Sequence, residues 1–313
     1  MKWIGMGLLS LFALSLALVL GPAAIPLRDL PASAILWDLR APRAALGFLV
    51  GGSLAVAGTG LQAVVRNPLA DPFLLGLSGG AALGAVVAIA LDVAGTWAVP
   101  LAAFAGALLA LVLVYRMGLV GGAALDPRIL LLAGVAVGAF AGAITTAVVS
   151  LAEATELRNA FLWLWGGLSG ASWDTVLVLA TYAPVPLLVI AAAARPLDLL
   201  ALGEEPARYL GADVESVKRR VYIAASLLTA AAVAVSGVIG FVGLIVPHVG
   251  RLVWGHHHRA LLPGAFLAGG TLVVMADTVA RTAVAPREVP VGIVTALIGV
   301  PLFVLLLRRW TIA

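Results

Sequence analysis

Residues 221–250 read VYIAASLLTAAAVAVSGVIGFVGLIVPHVG, thirty positions without one charged side chain. As a single helix this run would be about 45 Å long, well beyond the ~30 Å hydrocarbon core of a bilayer. Gly237, Gly240, Gly243 and Pro247 offer places to break it. The run is therefore read as two membrane spans, 219–236 and 239–255, joined by a very tight turn. Charge-free runs of about 20 residues, enough to cross a bilayer, recur along the chain at 3–27, 44–65, 72–91, 93–115, 129–152 and 175–194, and spans at about 260–283 and 289–307 complete a set of ten. The shorter run 159–173, with Trp163, Trp165 and Trp173, is read as a re-entrant or interfacial piece. The expected fold is all-α and polytopic, one transmembrane domain over 1–313: six spans in 1–194, a cytoplasmic segment at 195–220 and four spans in 221–313.

Composition agrees. The 313 residues are 63% hydrophobic and 11% charged, against roughly 45–50% apolar in a soluble domain. The absence of cysteine excludes disulfides and thiolate metal sites. The charge-free stretch Trp3–Leu27 exceeds the core of a signal peptide, about 7–15 residues, and is read as a retained first helix. An even number of spans puts both termini on one side. Placing them in the cytoplasm puts 13 of the 19 Lys and Arg residues inside and six outside, in accord with the positive-inside rule. A basic excess distributed in this way marks cytoplasmic loops and membrane lipid, not nucleic acid.

Glycines repeat every fourth residue at Gly134, Gly138 and Gly142, at Gly76, Gly80 and Gly84, and at Gly47 and Gly51. This spacing bares one helix face and lets a neighbour come close. The 134–142 stripe, continued by Thr145 and Thr146, can serve ordinary packing or line a path for a bulky solute, and both readings are open. A faint echo between Ala55-Val56-Ala57-Gly58 and Ala234-Val235-Ser236-Gly237 falls on helices of opposite direction, as an inverted repeat requires.

Energy conversion is missing from the chain. A Walker A loop needs Gly-Lys-Ser/Thr, yet the two lysines are Lys2 and Lys218. Ion-coupled carriers place an ionisable group within a span. Asp277, four residues before Arg281, is the acidic residue so placed, either as a local ion pair or as a proton-coupling site. His248 reads as a packed histidine and His256–His258 as a solvated turn, since adjacent histidines on a helix point apart.

One segment breaks the apolar pattern. Residues 195–220 carry ten charges and include ALGEEPARYLG at 201–211. Leu199, Leu202, Ala207 and Leu210 interleave with Glu204, Glu205 and Arg208, and Gly203 and Gly211 bracket the middle. The pattern predicts short helices joined by glycine turns, with a surface suited to a cytosolic partner.

This segment resembles the cytoplasmic coupling region of the permease subunits of type II ABC importers, the FecCD-like permeases that take up ferric siderophores, haem and cobalamin. So do LRAPRAALGFLVGGSLAVAGTGLQAVVRNPLADPFLLGLSGGAALG at 39–84, GVIGFVGLIVPHVGRL at 237–252, and residues 262–309 with ADTVAR and EVPVGIVTALIGVPLFVLLLRR. The resemblance implies ten helices, a homodimer, two ATPase subunits carrying ATP and Mg, a periplasmic or lipid-anchored binding protein, and a place in the bacterial inner membrane. No cofactor of the chain's own is implied. Gly203, Glu204, Glu205, Arg208, Leu210 and Gly211 would couple to the ATPase. Arg40, Arg43 and Arg281 would meet carboxylates of the binding protein. The helix bearing Gly134, Gly138, Gly142, Thr145 and Thr146 would wall the translocation path. The alternative expectation is an ion-coupled secondary carrier built on Asp277.

Overall fold

The computed structural model describes residues 2–23, 25–26, 28–120 and 124–310, with side chains to residue 305. The chain is a helical bundle. Seven helical segments are long and apolar enough to cross a membrane: α1 (Lys2–Val19), α2 (Ala41–Val65, entered through a π-helical turn Ile35–Arg40), α4 (Ala98–Gly118), α5 (Pro127–Leu151), the pair α7 (Trp173–Tyr182) and α8 (Pro184–Ala192), α11 (Val214–Ser236) and α13 (His258–Thr282). Three shorter apolar helices, α3 (Leu77–Ala90), α12 (Val242–Trp254) and α14 (Val291–Trp310), bring the set to the expected ten. Between them lie α6 (Ala154–Leu164), α9 (Ala194–Leu200), α10 (Glu204–Tyr209) and a small antiparallel hairpin of β1 (Leu119–Val120) and β2 (Ala124–Leu125).

Several boundaries differ from the sequence reading for identifiable reasons. The first span ends at Val19, because Gly21-Pro22 and Pro26 oppose helix; Leu27, its expected end, lies outside the described residues. The charge-free 72–91 run begins as a 3-10 turn, Pro72–Leu75, and becomes α-helical only after Gly76, which adopts a left-handed φ of 75°. In the 159–173 region, α6 runs through Leu164 and takes Trp163 with it, held by a reciprocal Glu153/Glu156 capping box; residues 165–172 are irregular, and Trp173 opens α7.

The two short helices start at depth. A Cβ on Gly243, at the beginning of α12, would lie 3.0 Å from the Leu54 carbonyl oxygen, and one on Gly58 would lie 2.0 Å from the Gly243 carbonyl oxygen. Leu54 and Gly58 are mid-helix in α2, so α12 begins near the middle of the bundle. Gly76 likewise sits against Gly134 and Val137, two to three turns into α5. Non-helical backbone at such depth survives only where protein groups satisfy it. The Gln62 amide donates to the carbonyls of Gly243 (3.3 Å) and Leu244 (3.2 Å), and the Asp71 carboxylate accepts from the Phe73 N–H at 2.8 Å.

The packing scheme is two-fold in form. Helix α2 packs on α11, α12 and α13, while α11 packs on α2, α3 and α4. Helices α3, α4 and α5 touch one another, and α12, α13 and α14 relate similarly, with α14 against both α12 and α13. This is the arrangement an inverted repeat of α2–α5 on α11–α14 produces, and the short α3 and α12 are its counterparts. The glycine stripes make the tightest crossings. Gly51 faces Gly269 so closely that a Cβ on either would fall 2.1–2.3 Å from the other's carbonyl oxygen.

Candidate functional site

The charged segment forms the bundle end built from the last turns of α2, α4 and α9 and the first of α5 and α11. Gly203 (φ 119°) stops α9 and opens α10, and Gly211 (φ 86°) closes it. At that end the Ala212 N–H donates to the Ala207 carbonyl and the Gly211 N–H to the Arg208 carbonyl, a Schellman arrangement that fixes the turn. Ala207 is fully buried against Leu200 and Val214, so α10 is pinned by its inner face. Its outer face carries Glu205, Arg208, Tyr209 and Leu210, with Tyr209 89% and Leu210 60% exposed. Two large apolar groups are thus held in the open beside charges, the kind of exposed patch that a partner could cover.

Glu204 departs from its expected role. Its carboxylate turns inward, 3.3 Å from the Lys218 ammonium and 3.6 Å from the Arg208 guanidinium, with Arg66 at 3.9 Å. Pairing within the chain leaves less of it for a partner than sequence reading supposed. Lys218 is 2% exposed and also binds Glu215 at 2.8 Å.

The three arginines at the opposite end are not free guanidiniums. Arg40 is 3% exposed and donates to the carbonyls of Leu18, Val19 and Ala23, closing the end of α1. Arg43 forms a two-pronged bond to Asp277 (Nε 3.0 Å and Nη2 2.9 Å to Oδ1) and reaches Glu288 at 3.0 Å. Arg281 donates to the Ala17 carbonyl and lies 3.4 Å from Asp277. Within this chain the three expected docking arginines sit where carboxylates and helix-end carbonyls compensate their charge, Arg40 and Arg281 buried and Arg43 partly exposed. The Asp277–Arg281 pair expected from spacing is present, and Arg43 joins it. With both Asp277 oxygens engaged, a coupling carboxylate awaiting a proton is not what the geometry presents.

On α5 the expected path residues divide. Gly134 and Gly138 press against residues 74–79 of the same chain, and Thr145 is buried with its hydroxyl on the Ala141 carbonyl. These three serve packing. Gly142 has open space at its Cα, and Thr146 is exposed with Phe140 and Leu151 on an uncovered face. Among the histidines, His258 is buried rather than solvated, its Nδ1 2.6 Å from Asp198, which also accepts the His258 backbone N–H. No group of metal-ligating side chains occurs among the described residues.

The fold as a whole has a counterpart in known proteins. Residues 8–309 match the FecCD transport family. The chain belongs to that family. It is 48% identical over 277 residues to the cobalamin import permease BtuC of Halobacterium salinarum, covering 88% of this chain and 74% of the relative. It is 43% identical to the haemin transport permease HmuU of Yersinia pestis, covering 87% and 82%. Against the vitamin B12 import permease BtuC of Salmonella arizonae it is 38% identical, covering 98% and 94%. In structure it superposes on a metal-chelate type ABC transporter in an inward-facing conformation with a TM-score of 0.88, 28% identity and 98% coverage of both chains.

Sequence reading of this FecCD-family chain missed the partners that hold its polar ends together: Glu288, Glu215, Lys218 and Gln62. For Lys218 there was a signal. Arginine supplies 17 of the 19 basic residues, so a lone interior lysine suggests a site needing a compact cation with three donors. Glu288 gave none, because its partner Arg43 is 245 residues away.

Proposed function

We propose that this chain is the membrane-spanning permease subunit of a type II ABC importer, moving a metal chelate (cobalamin, haem or a ferric siderophore) from a binding protein into the cytoplasm. The match to the FecCD transport family across residues 8–309 carries this reading. The relatives named for cobalamin and haemin import support the substrate class. In this reading two copies of the chain pair, two ATPase subunits bind the face that presents Glu205, Arg208, Tyr209 and Leu210, and a binding protein docks at the far end. ATP and Mg belong to the ATPases. Both termini lie in the cytoplasm. Closure of the ATPases displaces α10, and the bundle reopens to the other side. An uncharged α5 face with Gly142 and Thr146 offers few specific contacts, which supports a reading in which the binding protein selects the substrate.

The test is uptake of radiolabelled cyanocobalamin, haemin and ferric siderophores into proteoliposomes. These hold the chain with its ATPase, with binding protein outside and ATP inside. ATP-dependent accumulation of one probe, lost in Tyr209→Asp/Leu210→Asp, is the expected result. Accumulation that ignores ATP and collapses with the proton gradient would sink the importer reading in favour of a carrier.

A further inference from the structure

The coupling surface on α10 and the open face of α5 lie on different elements, and an importer driven by a separate ATPase needs something rigid between them. The structure contains one such connection at the start of α5. Leu125 sits one residue before Asp126, the α5 N-cap, whose carboxylate accepts from the Arg128 N–H at 2.8 Å. Both backbone groups of Leu125 are held by side chains of α11. Its N–H donates to Glu215 Oε2 at 3.0 Å, and its carbonyl accepts from Lys218 Nζ at 2.8 Å. Glu215 and Lys218 are paired at 2.8 Å, so the two grips brace each other. The third Lys218 donor goes to Glu204 on α10 at 3.3 Å, and Arg208 bridges Glu204 and Glu215 at 3.6 and 3.3 Å. Lys218 is 2% exposed and the Leu125 side chain likewise, so the link lies behind the surface a partner would touch.

We propose that Glu215 and Lys218 form a strut on the Leu125 peptide that transmits displacement of α10 to the N-terminus of α5, making them positioning residues for transport. The inference rests on the importer reading above. A hinge needs slack, and here there is none: every Lys218 donor is used, and each polar backbone atom of Leu125 has a charged partner. Charge-assisted bonds to a buried peptide are short and directional, suited to carrying a push as well as a pull. An ion pair alone would not need both backbone contacts.

The exchange variant Glu215→Lys/Lys218→Glu separates the two ideas. It retains the i, i+3 charge pair but presents an amine to the Leu125 N–H and a carboxylate to its carbonyl. The chain lacks cysteine, so Ser150→Cys gives a single reporter on the exposed outer end of α5. In the complete complex, ATP with vanadate should change the alkylation rate at Ser150→Cys in the otherwise wild-type chain. In the exchange variant and in Lys218→Met, ATPase binding and hydrolysis should persist while that change disappears, and uptake per ATP of the probe that the wild type accumulates should fall about tenfold. A second measurement needs no variant: the wild-type Leu125 amide should stay protected from hydrogen exchange throughout the ATP cycle. Uptake and alkylation unchanged in the exchange variant, Leu125 protection lost on adding ATP and vanadate, or ATPase binding lost together with uptake would each overturn the strut. If instead the wild type shows no ATP-dependent uptake of any probe, the importer reading itself fails, and the strut with it.

Discussion

At Asp277 two guanidiniums converge on one carboxylate that is 2% exposed. Removing the anion leaves the buried Arg281 without its carboxylate and the partly buried Arg43 with Glu288. Breaking a buried pair from one side costs about 3–5 kcal/mol, so Asp277→Asn should sharply lower the thermal melting point of the detergent-purified protein. An unchanged melting point would mean that the carboxylate is not the anchor. Among the glycines the contrast is between sites of one residue type. Gly51→Ala forces a methyl against the Gly269 backbone, which cannot rotate away, and should cost about 1–3 kcal/mol. Gly142→Ala meets open space and should melt with the wild type. Helix propensity alone would raise both melting points, since alanine is the better helix former; a Gly51→Ala melting point at or above the wild type would therefore show that close approach does not govern this site.

Among the elements, α10 is held by its back and open at its front. Tyr209→Asp/Leu210→Asp changes side chains that already face outward, so it should leave the melting curve of the isolated chain in place while abolishing co-purification with the ATPase. Loss of folding would contradict the exposed placement of these two residues. This helix was also the most legible part of the chain. Two glycines, an apolar stripe and a cluster of charges in a sequence 11% charged are enough by themselves to declare a short polar helix. The number of spans was equally readable, because a bilayer imposes length and polarity on each span separately. Depth and pairing were not. That α12 begins mid-bundle depends on Gln62 meeting carbonyls more than 180 residues away. Arg40 and Arg43 look like surface cations in sequence because nothing local reveals the helix-end carbonyls and distant carboxylates that receive them, whereas the i, i+4 spacing of Asp277 and Arg281 did show through.

For the molecule as a whole, the proposed topology places the α3–α4 and α13–α14 connections on one side and the α9–α10 connection on the other. Single cysteines in a chain that has none report this directly. In right-side-out membranes Asp92→Cys and Arg287→Cys should react with an impermeant maleimide, whereas Leu202→Cys should react only after permeabilisation. The reverse pattern would invert the positive-inside assignment. The two-fold packing of α2–α5 on α11–α14 also explains how so plain an alphabet of Gly, Ala, Val and Leu yields one arrangement. The Gly51–Gly269 and Gly58–Gly243 approaches join the halves, while Gly80, Gly84 and Gly134 meet close neighbours within their own half.

Helix α1 has a history implied by its contacts. Its buried side chains meet α13, where the Ser10 hydroxyl bonds to that of Thr271, 261 residues further on, and Lys2 reaches the Val253 carbonyl of α12. During synthesis α1 must therefore wait in the lipid for most of the chain to be made. The early holds on it come from the entry to α2: Ala44 and Phe48 pack against it, and Arg40 covers the carbonyls at the α1 terminus. In biogenesis, that arginine would act as a temporary mooring, keeping α1 beside α2 until α13 inserts and the berth closes.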